Sequence, residues 1–231
     1  MKKITVFLLI AFVGNTAFSQ DCNPYFAIKE GLKVTYEFYN GKQKVVSKTT
    51  SYFKNVSGTG NNVSGTLVME MIDPKKDDLL NTAEAIWRCE NGIVYFAMNV
   101  MNMEGVDMTN AGIEVTVDGD EMDIPAAMEP GQTLKDVNYH VIIKMAGISL
   151  MNRDFHVKDR KVEEKENVTT PAGTFESVKV SYTTESVGKN GGGAKAQRTS
   201  VWYAQNVGVV KMENYKDEKV YSAQLLTKLE K

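Results

Sequence analysis

Polar and apolar residues alternate along this chain in short runs, and a turn-forming pair closes almost every run. Such a period turns one side chain toward a core and the next toward water, which is the pattern of a half-buried strand and not of a helix. The first run, Lys33-Val34-Thr35-Tyr36-Glu37-Phe38, ends at Asn40-Gly41, a strong hairpin pair. Residues 44–56 form a β-branched, hydroxyl-rich run, residues 63–72 alternate again, and Pro74 ends them. Residues 83–89 turn at Asn91-Gly92 into 93–98, and 113–117 are expected to turn at Asp118-Gly119 into 121–124. The second half repeats the style over 137–145, 148–157, 175–182, 199–203, 207–212 and 220–229, with a glycine-rich tip at 188–193. The charged run 158–166 reads as the solvated end of a strand. Only residues 99–111, and in part 77–85, read as helical or irregular. About a dozen short strands at this spacing predict an all-β antiparallel sheet, sandwich-like or barrel-like. No linker or charge block divides the chain, so residues 20–231 are expected to form one β-rich domain.

The N-terminus reads as an export signal. Lys2 and Lys3 precede an apolar run over residues 4–13, and Ala17-Phe18-Ser19 places small residues where signal peptidase reads them. Residues 1–19 are therefore expected to be removed, leaving Gln20 first. The apolar run is shorter than the ~20 residues a membrane-spanning helix needs. No lipid anchor is expected at Cys22, because Gln20 and Asp21 precede it instead of a small residue. No later stretch is apolar enough to span a membrane, so the mature chain is expected to be a soluble protein, periplasmic or secreted, without a transmembrane anchor.

Loss of Lys2 and Lys3 would take the formal charge from −2 to −4. A mildly acidic chain argues against a nucleic-acid partner, which demands clustered cations to neutralise phosphates. Two cysteines, Cys22 and Cys89, remain after processing, and in an oxidising compartment they are expected to pair.

Motifs for chemistry are absent. His140 and His156 are the two histidines, fewer than the three or four ligands of a usual zinc site, and whether they face each other depends on the register of the hairpin at Ala146-Gly147. With a two-residue loop, His140 would face Arg153 and His156 would lie on the opposite face. There is no Gly-x-Ser-x-Gly elbow, no calcium loop and no phosphate loop. Asp118 and Asp120 flank a turn glycine, where aspartate is favoured for turn geometry alone. No cofactor, metal or catalytic residue is expected.

Methionine is unevenly distributed. Ten of the 12 lie between Met69 and Met151, and Met98, Met101, Met103 and Met108 crowd the segment that does not read as strand. A flexible, polarizable side chain suits a surface that repacks around variable apolar partners, so these four are candidate ligand-binding residues in a short covering segment over a sheet.

Thr169-Thr170-Pro171-Ala172-Gly173-Thr174-Phe175, followed by Val201-Trp202-Tyr203-Ala204 and Val207-Gly208-Val209-Val210-Lys211, resembles the TapB-like group of exported bacterial proteins. Cys22-Asn23-Pro24-Tyr25, Pro130-Gly131-Gln132-Thr133-Leu134 and the closing Leu225-Leu226-Thr227-Lys228-Leu229 resemble that group too. The resemblance implies a single curved antiparallel sheet, a half-barrel similar to bacterial lipoprotein carriers or lipocalins. Pro171 and Gly173 would form a rigid structural turn, since Pro fixes φ and Gly tolerates positive φ. Trp202 and Tyr203 point to opposite faces, one toward the core and the other toward solvent or ligand, and Trp202 is taken as the ligand-facing candidate.

A curved sheet must fill its inner face with side chains, cover it, or hold a ligand there. The leading expectation is an envelope protein that binds a hydrophobic or lipid-like molecule. The alternative is a non-catalytic structural or protein-interaction module of the envelope.

Overall fold

The computed structural model describes residues 22–96, 113–188 and 195–231. The signal segment, the methionine-rich stretch with Met98, Met101, Met103 and Met108, and most of the glycine-rich tip lie outside these residues.

The alternating runs become 13 strands of one antiparallel sheet. β1 (Lys33–Asn40), β2 (Val45–Thr59), β3 (Asn62–Ile72), β4 (Leu79–Glu90) and β5 (Ile93–Phe96) form a meander, each pairing with the next. Beyond them lie the short β6 (Ile113–Gly119) and β7 (Met122–Ile124). A second meander follows with β8 (Val137–Met145), β9 (Ile148–Thr170), β10 (Gly173–Gly188), β11 (Lys195–Ala204), β12 (Gly208–Lys216) and β13 (Lys219–Glu230). β13 pairs with β1 and welds the two meanders into the order β6-β8-β9-β10-β11-β12-β13-β1-β2-β3-β4-β5-β7.

Two sequence expectations are corrected. Residues 79–85 are strand, not helix: β4 pairs with β3 from Ile72↔Leu79 onward, so ladder pairing overrides local preference. The Asp73 carboxylate organises the turn before it, accepting from the Lys75 and Lys76 amides at 2.8 and 2.9 Å, which holds its carboxyl below the usual range. The second correction concerns Asp118-Gly119, which makes no hairpin. β6 pairs with β8 at one edge of the sheet and β7 pairs with β5 at the other, and only Asp120 and Glu121 lie between them. Three backbone steps reach at most about 11 Å, so the sheet must roll until its two edges nearly meet. The edges do not pair with each other, and the barrel stays open.

Bulges supply the curvature. β9 runs for 23 residues, and its pairing with β10 slips twice, at Val178/Val180 and Ser181/Thr183. Each slip bends a strand and increases its twist. Asp159, at φ 55, sits on the bulged stretch.

The N-terminal segment plugs one end of the roll. Asn23 is fully buried; its amide donates to Gly92 O and Ile124 O, both at 2.8 Å, while its Oδ1 accepts from the amides of Tyr25 and Phe26. Four satisfied contacts remove the usual penalty of a buried amide. Cys22 is bonded to Cys89 of β4. Above this plug Trp87 stacks between Phe26 and Phe96, with ring centroids at 4.6 and 4.1 Å. Phe53 meets the same indole edge-on. These rings anchor the larger core cluster.

Candidate functional site: the hollow of the sheet

The described side chains do not fill the concave face. It encloses a hollow of about 940 Å³, at the upper end of the ~300–1,000 Å³ usual for ligand sites. Phe26, Trp87 and Met128 form part of its floor, and depth along each strand follows from the two-residue period. On β1 the inward residues climb from Val34 through Tyr36 and Phe38 to Asn40. Leu67, Met69 and Met71 climb β3 in parallel. Across the hollow, Val201 and Tyr203 of β11 face Met212 and Val209 of β12.

The rim differs from the walls. Asn40, Ser47, Asn81, Asn214 and Ser222 line the end of the hollow where the β1–β2, β3–β4 and β12–β13 turns lie. Thr199 Oγ1 donates to Asn214 Oδ1 at 2.9 Å, and Asn214 Nδ2 donates to Ser222 Oγ at 3.0 Å, so three adjacent strands share one polar band. Leu80 and Val46, 60% and 45% exposed, also line the hollow and mark its open side.

Among the described residues, charge in the lining is confined to Lys48, Asp123 and Arg160. Arg160 is buried and reaches from β9 to β7. Its Nη1 donates to Asp123 Oδ1 and Lys135 O, each at 2.5 Å, and its Nη2 donates to Asp123 O at 2.7 Å. It thus clasps the seam between the two meanders. Lys48 pairs with Asp77 at 2.5 Å. The acids of the expected hairpin serve the same seam: Glu121 takes a two-pronged bond from Arg88, and Asp120 accepts from the Asn138 amide at 3.1 Å. That amide, with Lys135 beside it, holds the Asp120 carboxyl below the usual range.

Burial raises the phenols of the hollow. The Tyr182 hydroxyl is pushed up to about 12 by loss of water, against the opposing pull of Arg160 and Thr199. Tyr36 and Tyr203 are raised further for the same reason. Tyr36 donates to Val209 O at 2.9 Å.

The remaining sequence candidates fall elsewhere. Tyr203 faces the hollow, whereas Trp202 lies on the other face, its Nε1 donating to Glu166 and its ring between Lys179 and Lys211. Pro171 and Ala172 make the two-residue loop between β9 and β10, Gly173 opens β10 at φ 138, and Thr170 Oγ1 accepts from the Ala172 amide. The hairpin loop at Ala146-Gly147 has two residues, with Met145 opposite Ile148, but a bulge at Ile143/Lys144 moves His140 from Arg153 to Asp154. His140 Nδ1 meets Asp154 Oδ1 at 2.6 Å, and His156 Nδ1 meets Asn138 Oδ1 at 2.8 Å. The same slip returns His156 to the face of His140, with Asn138 opposite it. Among the described residues no group of three or more His, Cys, Asp or Glu is placed to hold a metal. No helix among them is long and apolar enough to cross a membrane.

Sequence reasoning missed the methionines that do line the hollow: Met69, Met71, Met122, Met128 and Met212. The signal was present in the crowding between Met69 and Met151. It gave no means of choosing among them, because strand pairing decides which ones face inward.

Together the rolled sheet, the plugged end and the lined hollow define an open antiparallel half-barrel with an apolar interior. The chain belongs to the DUF3108-like family, whose model matches residues 29–226. It is similar in fold to a proposed exported protein with YmcC-like fold from Bacteroides fragilis NCTC 9343, at 22% identity and TM-score 0.72. A proposed lipoprotein from Parabacteroides distasonis ATCC 8503 is similar at 21% identity and the same TM-score. Each comparison covers 91% of this chain and 100% of the other. No curated protein matches the chain.

Proposed function

We propose that this is an exported envelope protein that carries a hydrophobic or amphipathic molecule in the hollow of its half-barrel. The observation behind the reading is the mostly apolar space of about 940 Å³ that the described side chains leave inside a sheet whose floor is packed with aromatic rings and whose seam is bridged by Arg160. A mostly apolar hollow of that size falls in the range of preformed ligand sites. Burial of a hydrocarbon tail contributes about 0.8 kcal/mol per methylene, so a modest length of chain suffices for firm binding. Five methionines in the lining can change rotamer at small strain, which suits chains of varied length.

Export rests on the N-terminal pattern, with cleavage after Ser19. The disulfide fits an oxidising compartment. Within the DUF3108-like family, the motifs at 169–175 and 201–211 support a place beside the TapB-like proteins.

Native mass spectrometry of protein isolated from its own host tests both parts. The expected result is a chain beginning at Gln20 that carries an extra mass removable by organic extraction. A chain retaining residues 1–19, or acylated on Cys22, would contradict the processing. Bare protein under gentle conditions would contradict the carrier.

A further inference from the structure

The chemistry of the lining narrows the class of ligand, given the carrier reading above. We infer that the hollow takes a single-chain amphipath with an uncharged head rich in hydroxyl or amide groups, of the monoacylglycerol type, and not a fatty-acid anion or a phospholipid.

Of the described lining residues only Lys48, Asp123 and Arg160 are charged, and each has an opposite charge beside it. Arg160, its side chain 4% exposed, gives its terminal nitrogens to three protein acceptors, and only its buried Nε–H is left without a partner among the described residues. Turning it to a ligand would strand the Asp123 carboxylate and two carbonyls away from water, the costly way to break a buried pair. Lys48 faces Asp77 at the mouth, and with both pairs counted the described lining carries no net charge. A carboxylate or phosphate drawn in behind its chain would meet, among the described residues, no cation that lacks an acidic partner, and an unpaired buried anion is strongly disfavoured.

The rim supplies what a neutral head needs. Ser47, Asn214 and Ser222 offer both donors and acceptors without charge, and Asn40 and Asn81, whose Oδ1 atoms already accept backbone amides, add their Nδ2 donors. In the Thr199–Asn214–Ser222 band the Asn214 amide has one partner on each side, Thr199 also meets the Tyr182 hydroxyl, and the Ser222 hydroxyl hydrogen has no acceptor among the described residues. A glycerol or sugar hydroxyl can accept from it and donate back to the amides. The walls below, with Phe38, Met212 and Val201 in the row beneath the band and Met69 deeper, accept the chain.

The test displaces N-phenylnaphthylamine, an uncharged fluorescent probe, from the mature protein. The competitors are a monoacylglycerol and a fatty acid of equal chain length, at mildly alkaline pH and below their aggregation limits. The glycerol ester is expected to displace the probe at a concentration at least tenfold lower. The double variant Asn214→Ala/Ser222→Ala is expected to lose that preference, and Lys48→Met to keep it. A fatty acid that competes as well as the ester overturns the inference and leaves the carrier reading standing, most clearly if Lys48→Met abolishes its binding. A probe that never binds saturably, or that neither competitor displaces, overturns both. The head-group comparison uses the unaltered protein, so it decides between the two ligands even if a variant is unstable.

Discussion

Arg160 sits where β9 bulges, and its guanidinium reaches across the seam to Asp123 and Lys135. Read from sequence, it belonged to a solvated charged run. Asp159 at positive φ shifts the alternation by one residue, and Arg160 turns inward beside Val162. That shift cannot be read from composition, because nothing local distinguishes a bulge from a regular pair. Arg160→Met leaves a carboxylate and two carbonyls unpaired and is expected to cost about 3–5 kcal/mol in chemical denaturation. A loss within ~0.5 kcal/mol, as for an ordinary surface substitution, would show that the clasp is dispensable. The buried phenols make a second residue-scale prediction. Tyr182 ionises near 10.0 when unfolded but near 12 when folded, so the folded form binds its proton more tightly. Stability is therefore full below pH 10 and falls as pH rises toward 12. Ultraviolet titration should show these phenols ionising together with unfolding; smooth ionisation of a still-folded protein would contradict the burial.

At the scale of elements, most strands were legible because alternation and turn chemistry agree over β1–β3 and β8–β13. β6 and β7 were legible as strands but not in their pairing. Asp118-Gly119 has the sequence of a tight turn, yet Gly119 at φ 125 sends the chain from one edge of the sheet to the other. A Cβ there would lie 2.5 Å from Asn138 O, so Gly119→Ala is expected to destabilise by about 1–3 kcal/mol through strain at the crossing. Thermal melts decide it, and an unchanged melting temperature would mean the crossing has another geometry. The Cys22–Cys89 bond was legible from the even count and the export signal. It ties the plug to β4 across 67 residues, and by the chain-entropy model its loss in Cys89→Ser costs about 4 kcal/mol. Two titratable thiols in the native, unreduced protein would contradict it.

For the whole molecule, the periodicity established the all-β class, while the family resemblance supplied the curvature. The hollow itself was not readable, since it arises from how far a 13-stranded sheet rolls before its edges meet. Methionine was the one sequence trace of it, and much of that trace lay on residues whose facing only strand pairing reveals. The central claim is that this space exists to be occupied, and filling it tests the claim most directly. Ala83 lines the hollow from β4 and belongs to neither core cluster. Ala83→Trp should therefore occupy the space and leave the sheet intact. In a titration with an uncharged fluorescent lipid probe, the unaltered protein is expected to bind saturably at one site. Ala83→Trp, with an unchanged circular dichroism spectrum, is expected to bind at least tenfold more weakly. Equal binding by the two proteins, or no saturable binding by either, would contradict a ligand held in the half-barrel.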